Sequence, residues 1–162
     1  MTAVCTASPV SALFQIGHLF LLEKLFGTVL MPPEVAEELD EGSDIIGDWR
    51  AAPGAATLTT RSVGDEALVR GLSDRLYRGD AAAIAVAAET GGAILITDEA
   101  EGRRTARRIG VRVIGTVGLL VAAKRLGHLP KLEPILAELQ TKARYCIGGD
   151  IVRRALELAG ER

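Results

Sequence analysis

Residues 79–110 read GDAAAIAVAAETGGAILITDEAEGRRTARRIG, and three kinds of local structure follow one another within them. Asp80 to Glu89 is alanine-rich with Ile84 at core spacing, which predicts a helix that opens on a carboxylate and ends at two glycines. Ala93 to Ile96 is short and wholly apolar, as is typical of a parallel strand buried on both faces. Ala100 to Ile109 predicts a second helix. This succession indicates an α/β architecture.

The rest of the chain continues the alternation. Strands are predicted at Ala3–Cys5, Thr28–Met31, Ala56–Arg61 (an edge strand), Val111–Ile114 and Arg144–Ile147. Helices are predicted at Val10–Ile16 with Ser8 as its cap, His18–Phe26, Glu34–Asp40, Asp44–Ala52, Asp65–Ser73, Val117–Leu126 and Lys131–Gln140, and in a C-terminal segment capped by Asp150. Strands joined through helices by short, glycine-punctuated loops predict a parallel sheet covered on both faces.

The amino-acid composition is that of a globular protein. The chain has 162 residues, of which 48% are hydrophobic and 25% charged, so we expect one globular domain. A net charge of −2 excludes an overall basic coat for nucleic acid but leaves room for a local basic face. The two cysteines form no C-x-x-C pair, and the longest apolar run, Ala12–Leu22, is too short for a membrane span. We expect a cytoplasmic protein with no membrane partner.

Polar and acidic residues follow the predicted strands at the points where they end. All strand C-termini of such a sheet open on one edge, where open α/β folds place their chemistry. The residues expected at this edge are Thr6, Ser8, Glu38, Asp80, Asp98 and Glu99. Carboxylates that converge repel one another unless a cation joins them, and all-oxygen ligands select Mg²⁺ or Mn²⁺. The chemistry that this arrangement indicates is metal-assisted phosphodiester hydrolysis.

Each of these residues also has an ordinary structural explanation. Asp80 at a helix start is stabilised by the helix dipole, Asp98 would cap the helix that follows it, and Glu38 lies on a short acidic, solvated helix. Four arginines recur at helical spacing, where phosphate contact competes with a merely solvated face: Arg103, Arg104, Arg107 and Arg108. Nucleotide binding of Rossmann type lacks support, because the chain contains no G-x-G-x-x-G.

Four segments, in order along the chain, resemble the successive motifs of the PIN-domain superfamily. They are ASP at 7–9, PPEVAEEL at 32–39, GDAAAIA at 79–85 and LITDE at 95–99. The closer likeness is to a branch of predicted nucleic-acid-binding proteins related to VapC-type toxin ribonucleases, which GRR at 102–104 and VIGT at 113–116 resemble in particular. The likeness runs from Val4 to about Gly160. It implies a three-layer α/β/α PIN-like fold over residues 1–162, with a central, mainly parallel sheet.

The resemblance also implies site residues and a cofactor. Glu38 matches the acid after the second strand, Asp80 the acid that opens the central helix, and Asp98 the acid after the next strand, with Glu99 beside it. Together they would bind Mg²⁺ or Mn²⁺ for the cleavage of single-stranded or structured RNA. Ser8 matches the polar residue near the first-strand acid. That acid itself falls on Thr6, which carries no charge, and the loss of one carboxylate weakens the attraction for a cation.

Two functions therefore remain open. The first is a metal-dependent ribonuclease, as the toxin of a toxin–antitoxin pair, with Asp98, Asp80 and Glu38 as catalytic metal ligands and Arg103, Arg104 and Arg107 as RNA contacts. Thr6, Ser8 and Glu99 would support the pocket, and an antitoxin protein would be a partner. The second is a catalytically inactive module that binds nucleic acid or protein. Leucines in the N-terminal helices predict either a homodimer seam or packing within the monomer.

Overall fold

The structure, a computed structural model, describes residues 1–162 and places ten helices around a five-stranded sheet. The strands are β1 (Thr2–Cys5), β2 (Thr28–Met31), β3 (Leu58–Thr60), β4 (Ile94–Ile96) and β5 (Arg112–Ile114). The helices are α1 (Ala7–Gln15), α2 (Leu21–Leu25), α3 (Pro33–Glu41), α4 (Ser43–Ile46), α5 (Glu66–Leu72), α6 (Arg78–Glu89), α7 (Ala100–Arg108), α8 (Thr116–Arg125), α9 (Glu133–Thr141) and α10 (Gly149–Leu158).

All strand pairings in the sheet are parallel, and the strand order is β3-β2-β1-β4-β5. In the central strand β1, Val4 pairs with Leu30 on one side and with Leu95 on the other. The predicted three-layer α/β/α arrangement is confirmed. The order along the chain reverses between β1 and β4, and open parallel sheets bind their ligands at the carboxyl end of such a reversal.

Helix α6 is the central helix that the alanine-rich sequence predicts. Residues 81–87 are all buried, because small side chains let the helix approach β1, β4 and three neighbouring helices closely. The helix begins at Arg78, two residues earlier than predicted. Asp80 therefore lies inside the first turn, where the helix dipole favours a negative charge, and Tyr77 occupies the N-cap.

The strand predicted at Arg144–Ile147 is wrong. This segment connects α9 to α10, and Arg144 adopts a left-handed conformation with φ of 53°. The Tyr145 backbone N–H donates to the Leu139 carbonyl at 3.1 Å. This bond belongs to the C-terminal end of α9, so the Tyr145 N–H is not used in strand pairing. Cys146, within this predicted strand, is consequently exposed in a connection, whereas Cys5 is buried in β1.

Several helix boundaries also differ from the prediction. The helix predicted at Asp44–Ala52 divides into α4 and a 3₁₀ turn at Trp49–Ala51, because Gly47 between them has φ of 107°. The helix predicted at His18–Phe26 shortens to α2. Two predicted caps are wrong for the same reason, that each helix begins two residues earlier than the predicted cap implies. Thr6 rather than Ser8 holds the N-cap of α1, and Gly148 rather than Asp150 holds that of α10.

The N-terminal leucines pack inside the chain. Leu13, Leu19, Leu21 and Leu22 are each at most 2% exposed and belong to one continuous core of 43 buried residues. Of the two alternatives for these leucines, packing within the monomer is the one observed. No helix reaches the length and apolarity that crossing a bilayer requires.

Candidate active site

Thr6, the residue after β1, lies where the strand order reverses between β1 and β4. Its backbone N–H and its hydroxyl both donate to the Ile96 carbonyl at the end of β4, at 3.1 and 3.2 Å. The residue is 2% exposed. Thr6 therefore joins the two strands where the first-strand acid was expected, and it brings no charge to the site.

Thr97, the first residue after β4, carries an unsatisfied polar atom into the same region. Its backbone N–H donates to the Ile114 carbonyl at 3.0 Å, but its buried hydroxyl oxygen has no hydrogen-bond partner. A second buried oxygen without a partner belongs to Glu34 on α3, one turn before Glu38. Buried polar atoms are nearly always paired, so unpaired ones mark places where a water or a ligand completes the site.

Asp98 is anchored to the start of α8. Its two oxygens accept from the backbone N–H and from the hydroxyl of Thr116, at 2.7 and 2.6 Å. A carboxylate oxygen has two lone pairs, so the two bonds from Thr116 leave acceptor positions on Asp98, and the Tyr145 phenol lies close enough to compete for one of them. Anchoring thus orients Asp98 without using up its capacity to bind a cation.

Asp80 is the centre of a separate group of acids. Burial raises the pKa of Asp80 above its ordinary value, and the Glu99 carboxylate raises it further. Burial likewise raises the pKa of Glu38, followed by repulsion from Asp80 and from Glu41. The structure therefore brings Asp80 together with Glu38 and Glu99, and their charges repel one another.

Glu38 reaches this group across the contact between α3 and α6. Its carboxylate lies against the Cα of Gly79, in the space that a side chain at position 79 would fill. Although much of the Glu38 side chain faces solvent, this contact desolvates its carboxylate and accounts for the direction of its pKa shift. The glycine that precedes Asp80 thus creates the room for the second acid.

Glu99 has a structural task as well. It is the N-cap of α7, and one of its oxygens accepts from the Gly102 backbone N–H at 2.7 Å. Glu99 also lines a groove with Asp80 and raises the pKa of Asp80, whereas the preceding residue, Asp98, lines another groove. Two successive acids therefore face different grooves.

We name these the Asp80 groove and the Asp98 groove. The Asp80 groove has a volume of about 330 Å³ and is lined by Arg75, Tyr77, Asp80 and Glu99 among others. The Asp98 groove, of about 530 Å³, contains Asp98, Arg103, Tyr145 and Cys146 above apolar walls from β5 and α8. Because Asp98 and Glu99 are adjacent in the chain, the connection between β4 and α7 contributes a residue to each groove.

The three arginines predicted to contact RNA lie in different environments, as does Ser8. Arg103 is half-buried in the Asp98 groove, where a Cβ on Gly115 would lie 3.0 Å from both an Arg103 guanidinium nitrogen and an Asp98 oxygen. Arg104 forms an ion pair with Glu101, which neutralises part of its charge, and Arg107 is exposed in the last turn of α7. Ser8 is exposed in the first turn of α1, and its hydroxyl makes no hydrogen bond.

Sequence reasoning missed Arg75, Tyr77 and Tyr145. Burial raises the pKa of the Tyr145 phenol, and the Asp98 carboxylate raises it further, so this phenol stays protonated at neutral pH. Tyr77 and Tyr145 are the only two tyrosines of a chain with 4% aromatic residues. That scarcity was a usable signal, but only the tertiary structure shows that both residues line grooves at the acidic edge.

The donor chemistry of the acids fits a hard divalent cation. Desolvated carboxylates that raise one another's pKa lack a compensating positive charge, and their oxygens are the ligands that Mg²⁺ and Mn²⁺ prefer. No group of three or more His, Cys, Asp or Glu side chains is arranged to hold a metal ion. Mg²⁺ is commonly held by only one or two carboxylates together with waters and substrate phosphates, so this geometry is compatible with such an ion.

Comparison with known proteins agrees with the strand order and the acidic edge. Residues 2–161 match the family described as DUF3368, a PIN domain. No curated protein and no solved structure gave a match. PIN domains are generally nucleases and commonly bind nucleic acids. Because the matched residues span almost the entire chain, the protein belongs to the PIN-domain family.

Proposed function

We propose that this protein is a metal-dependent ribonuclease whose catalytic edge contains Asp80, Glu38 and Asp98. The observation that supports it most directly is the group formed by Asp80, Glu38 and Glu99, in which burial and mutual repulsion raise the pKa of two carboxylates. Such a group is unfavourable in the free protein, and binding a divalent cation relieves it. Glu99 joins the site as a support for Asp80.

The chain's own residues would each contribute one step. Asp80 and Glu38 would hold Mg²⁺ or Mn²⁺ together with water molecules, and Asp98, which Thr116 orients in the neighbouring groove, would keep lone pairs free for a water molecule or an ion there. When bound, such an ion supplies positive charge opposite a phosphodiester and acidifies a water molecule. Arg103 would orient a phosphate oxygen, and Arg104 and Arg107 would attract the RNA from the outer side of α7.

An RNA-cleavage assay tests this proposal. Cleavage should require Mg²⁺ or Mn²⁺, stop with EDTA, and fall at least about 100-fold in Asp80→Asn, Asp98→Asn and Glu38→Gln, the order of effect that follows when charge stabilisation in the transition state is removed. Glu37→Gln, an exposed neighbour of Glu38 on α3, is the matched control and should cleave normally. Undiminished cleavage in all three acid variants would contradict the assignment.

A second candidate function is a module that binds nucleic acid or a protein without cutting. The observation that favours it is Thr6, whose buried hydroxyl bonds to Ile96 in place of the first-strand acid. Titration with Mn²⁺ separates the two, because a ligand that binds only the folded state raises its melting temperature. No shift at millimolar Mn²⁺, with RNA still bound, would favour the binding module.

The resemblance to VapC-type ribonucleases extends the first proposal to a toxin paired with an antitoxin protein. Induced expression of the wild-type chain should then arrest bacterial growth, whereas the Asp98→Asn chain should not. Equal growth with both chains would restrict the proposal to a ribonuclease without a toxin role.

A further inference from the structure

The two grooves share an unexpected composition. Each contains an acid, an arginine and a tyrosine: Asp80, Arg75 and Tyr77 in the first, and Asp98, Arg103 and Tyr145 in the second. The short connection between β4 and α7 contributes a residue to each groove. A ligand that passed over this connection would meet the same three kinds of side chain twice.

Tyr77 is the most exposed aromatic residue of the chain. It is 79% exposed, while Phe26 and Trp49 are buried and Phe14 and Phe20 are partly buried against the core. Its position at the N-cap of α6 places it three residues before Asp80, at the mouth of the Asp80 groove. Since packing does not require this ring, its accessible face is free to stack on a planar ligand.

Tyr145 presents its ring differently. It is half-buried, packs against the edge of the core, and lines the Asp98 groove beside Arg103. The connection that carries it is held by the bond from its backbone N–H to Leu139. The ring is therefore positioned by tertiary structure, with one side on the core and another on the groove.

The arginines of the two grooves form no ion pair within the chain. Neither Arg75 nor Arg103 takes part in any of the chain's seven ion pairs, in contrast to Arg104, which pairs with Glu101. Arg75 also lines a shallow neighbouring groove together with Arg108. Guanidinium groups that form no ion pair within the chain keep their donors for bidentate contact with phosphate.

We propose that the two grooves bind two unpaired nucleotides of one strand, with Tyr77 and Tyr145 stacking on the bases and Arg75 and Arg103 contacting phosphates. This inference rests on the proposed function and assigns substrate-positioning residues to the same edge. Stacking on an aromatic side chain needs a base whose face is free, so these subsites select unpaired over paired segments. The acids that line the two subsites would then face the backbone that joins the two nucleotides.

Binding to fluorescently labelled oligonucleotides in EDTA tests the inference without cleavage. Tyr77→Ala should weaken the binding of single-stranded RNA about 5-fold or more, while Tyr77→Phe, which keeps the ring, should bind within about 2-fold of wild type. An oligonucleotide without bases should bind equally to wild type and Tyr77→Ala, which a merely structural role for Tyr77 would not produce. A duplex of the same sequence should bind more weakly than the single strand.

Each groove is also tested through its arginine. Arg75→Gln and Arg103→Gln should each weaken binding and reduce the slope of log affinity against log salt by about 0.7, the value for one phosphate contact on a single strand. Arg103→Gln also tests the second groove if Tyr145→Leu does not fold. Leu126→Ala and Arg125→Gln are matched controls, exposed at the C-terminal end of α8 beyond the first turn that lines the Asp98 groove, and should leave binding unchanged.

Wild-type affinity in folded Tyr77→Ala and Arg103→Gln, or equal affinity for single strand and duplex, would overturn the inference. Single-stranded DNA serves as a parallel ligand, and equal binding of both would extend the subsites to either nucleic acid. A parallel cleavage assay with Mn²⁺ keeps the two proposals distinct. Binding that depends on the tyrosines without cleavage would reject the nuclease and retain the subsites, whereas cleavage unaffected by the tyrosines would do the reverse.

Discussion

The carboxylate of Glu38 lies against Gly79, in space that the side chain of any other residue at position 79 would occupy. This contact joins α3 to α6 and sets the position of one acid relative to Asp80, the next residue along α6. The absence of a side chain at Gly79 on α6 thus determines where the Glu38 carboxylate of α3 lies.

Gly79→Ala should therefore displace the Glu38 carboxylate without unfolding the protein. The atom that the new methyl group meets is the end of a flexible side chain, and alanine favours a helix over glycine by about 0.5–1 kcal/mol. We expect a melting temperature near that of wild type and an RNA-cleavage rate as low as that of Glu38→Gln. Gly71→Ala on α5, where no atom lies within 4 Å of the new methyl group, is the control and should cleave normally. Wild-type cleavage by Gly79→Ala would show that the position of Glu38 is unimportant.

Asp80→Asn should raise the melting temperature at about pH 7. The folded-state pKa of Asp80 is raised by burial and by Glu99, so the folded state binds the proton more tightly than the unfolded state does. Its destabilising contribution is fully present above the raised pKa and disappears as the pH falls to the ordinary value. The gain in Asp80→Asn should consequently shrink toward about pH 4, the ordinary range of an aspartate.

Thermal melts at both pH values measure this effect, and Asp150→Asn is the matched control. Asp150 lies in the first turn of α10 as Asp80 does in α6, but it is exposed and paired with Arg153. Its substitution should not raise the melting temperature. A gain in Asp80→Asn that is independent of pH would contradict the electrostatic explanation.

Thr116→Val should destabilise the protein by about 1–3 kcal/mol, because one oxygen of Asp98 loses its partner while valine keeps the shape of the buried side chain. In a chain of this size, each kcal/mol lowers the melting temperature by about 2–4 °C. Mn²⁺ should recover part of the loss if Asp98 binds the ion. In Thr141→Val, which removes an exposed hydroxyl on α9, we expect a change within about 0.5 kcal/mol.

Thr6→Asp should make the protein less stable without metal and more responsive to metal. Thr6 is buried and bonded to the Ile96 carbonyl, so a carboxylate there would face a carbonyl oxygen and lose its hydration. A bound cation offsets both effects, and the Mn²⁺-induced rise in melting temperature should exceed that of wild type. Thr6→Val, which removes the hydroxyl without adding charge, should show no such increase. An equal metal response in Thr6→Asp and wild type would mean that the neutral first-strand position does not limit metal binding.

Much of the architecture was predictable from local pattern. Three elements form close to their predicted bounds: the alanine-rich α6, the apolar β4 and the basic α7. Their hydrophobic periodicity and the residues at their ends are properties of a few neighbouring positions in the sequence. The strand predicted at Arg144–Ile147 failed because β-rich composition was the only signal. The left-handed Arg144 and the bond from Tyr145 to Leu139 depend on how α9 ends, which composition does not encode.

The edge at which the candidate acids lie was predictable, but their grouping was not. Glu38, Asp80, Asp98 and Glu99 all lie at the expected carboxyl edge, because parallel strands joined by crossovers must end there. The order of the residues does not reveal that Asp98 is bound to Thr116 while Glu99 faces Asp80. The partners of Asp98 and Glu99 depend on where α7 and α8 begin and how these helices pack.

By itself, the sequence determined the alternation of strands and helices, the parallel sheet and the edge at which the acids gather, since periodicity and crossover handedness act locally. Only the tertiary structure decided which acids repel one another, that Gly79 makes room for Glu38, and that a tyrosine and an arginine line each of the two grooves. These relationships join residues far apart in the chain, and the packing of helices against one another fixes them. Local pattern carries no information about that packing.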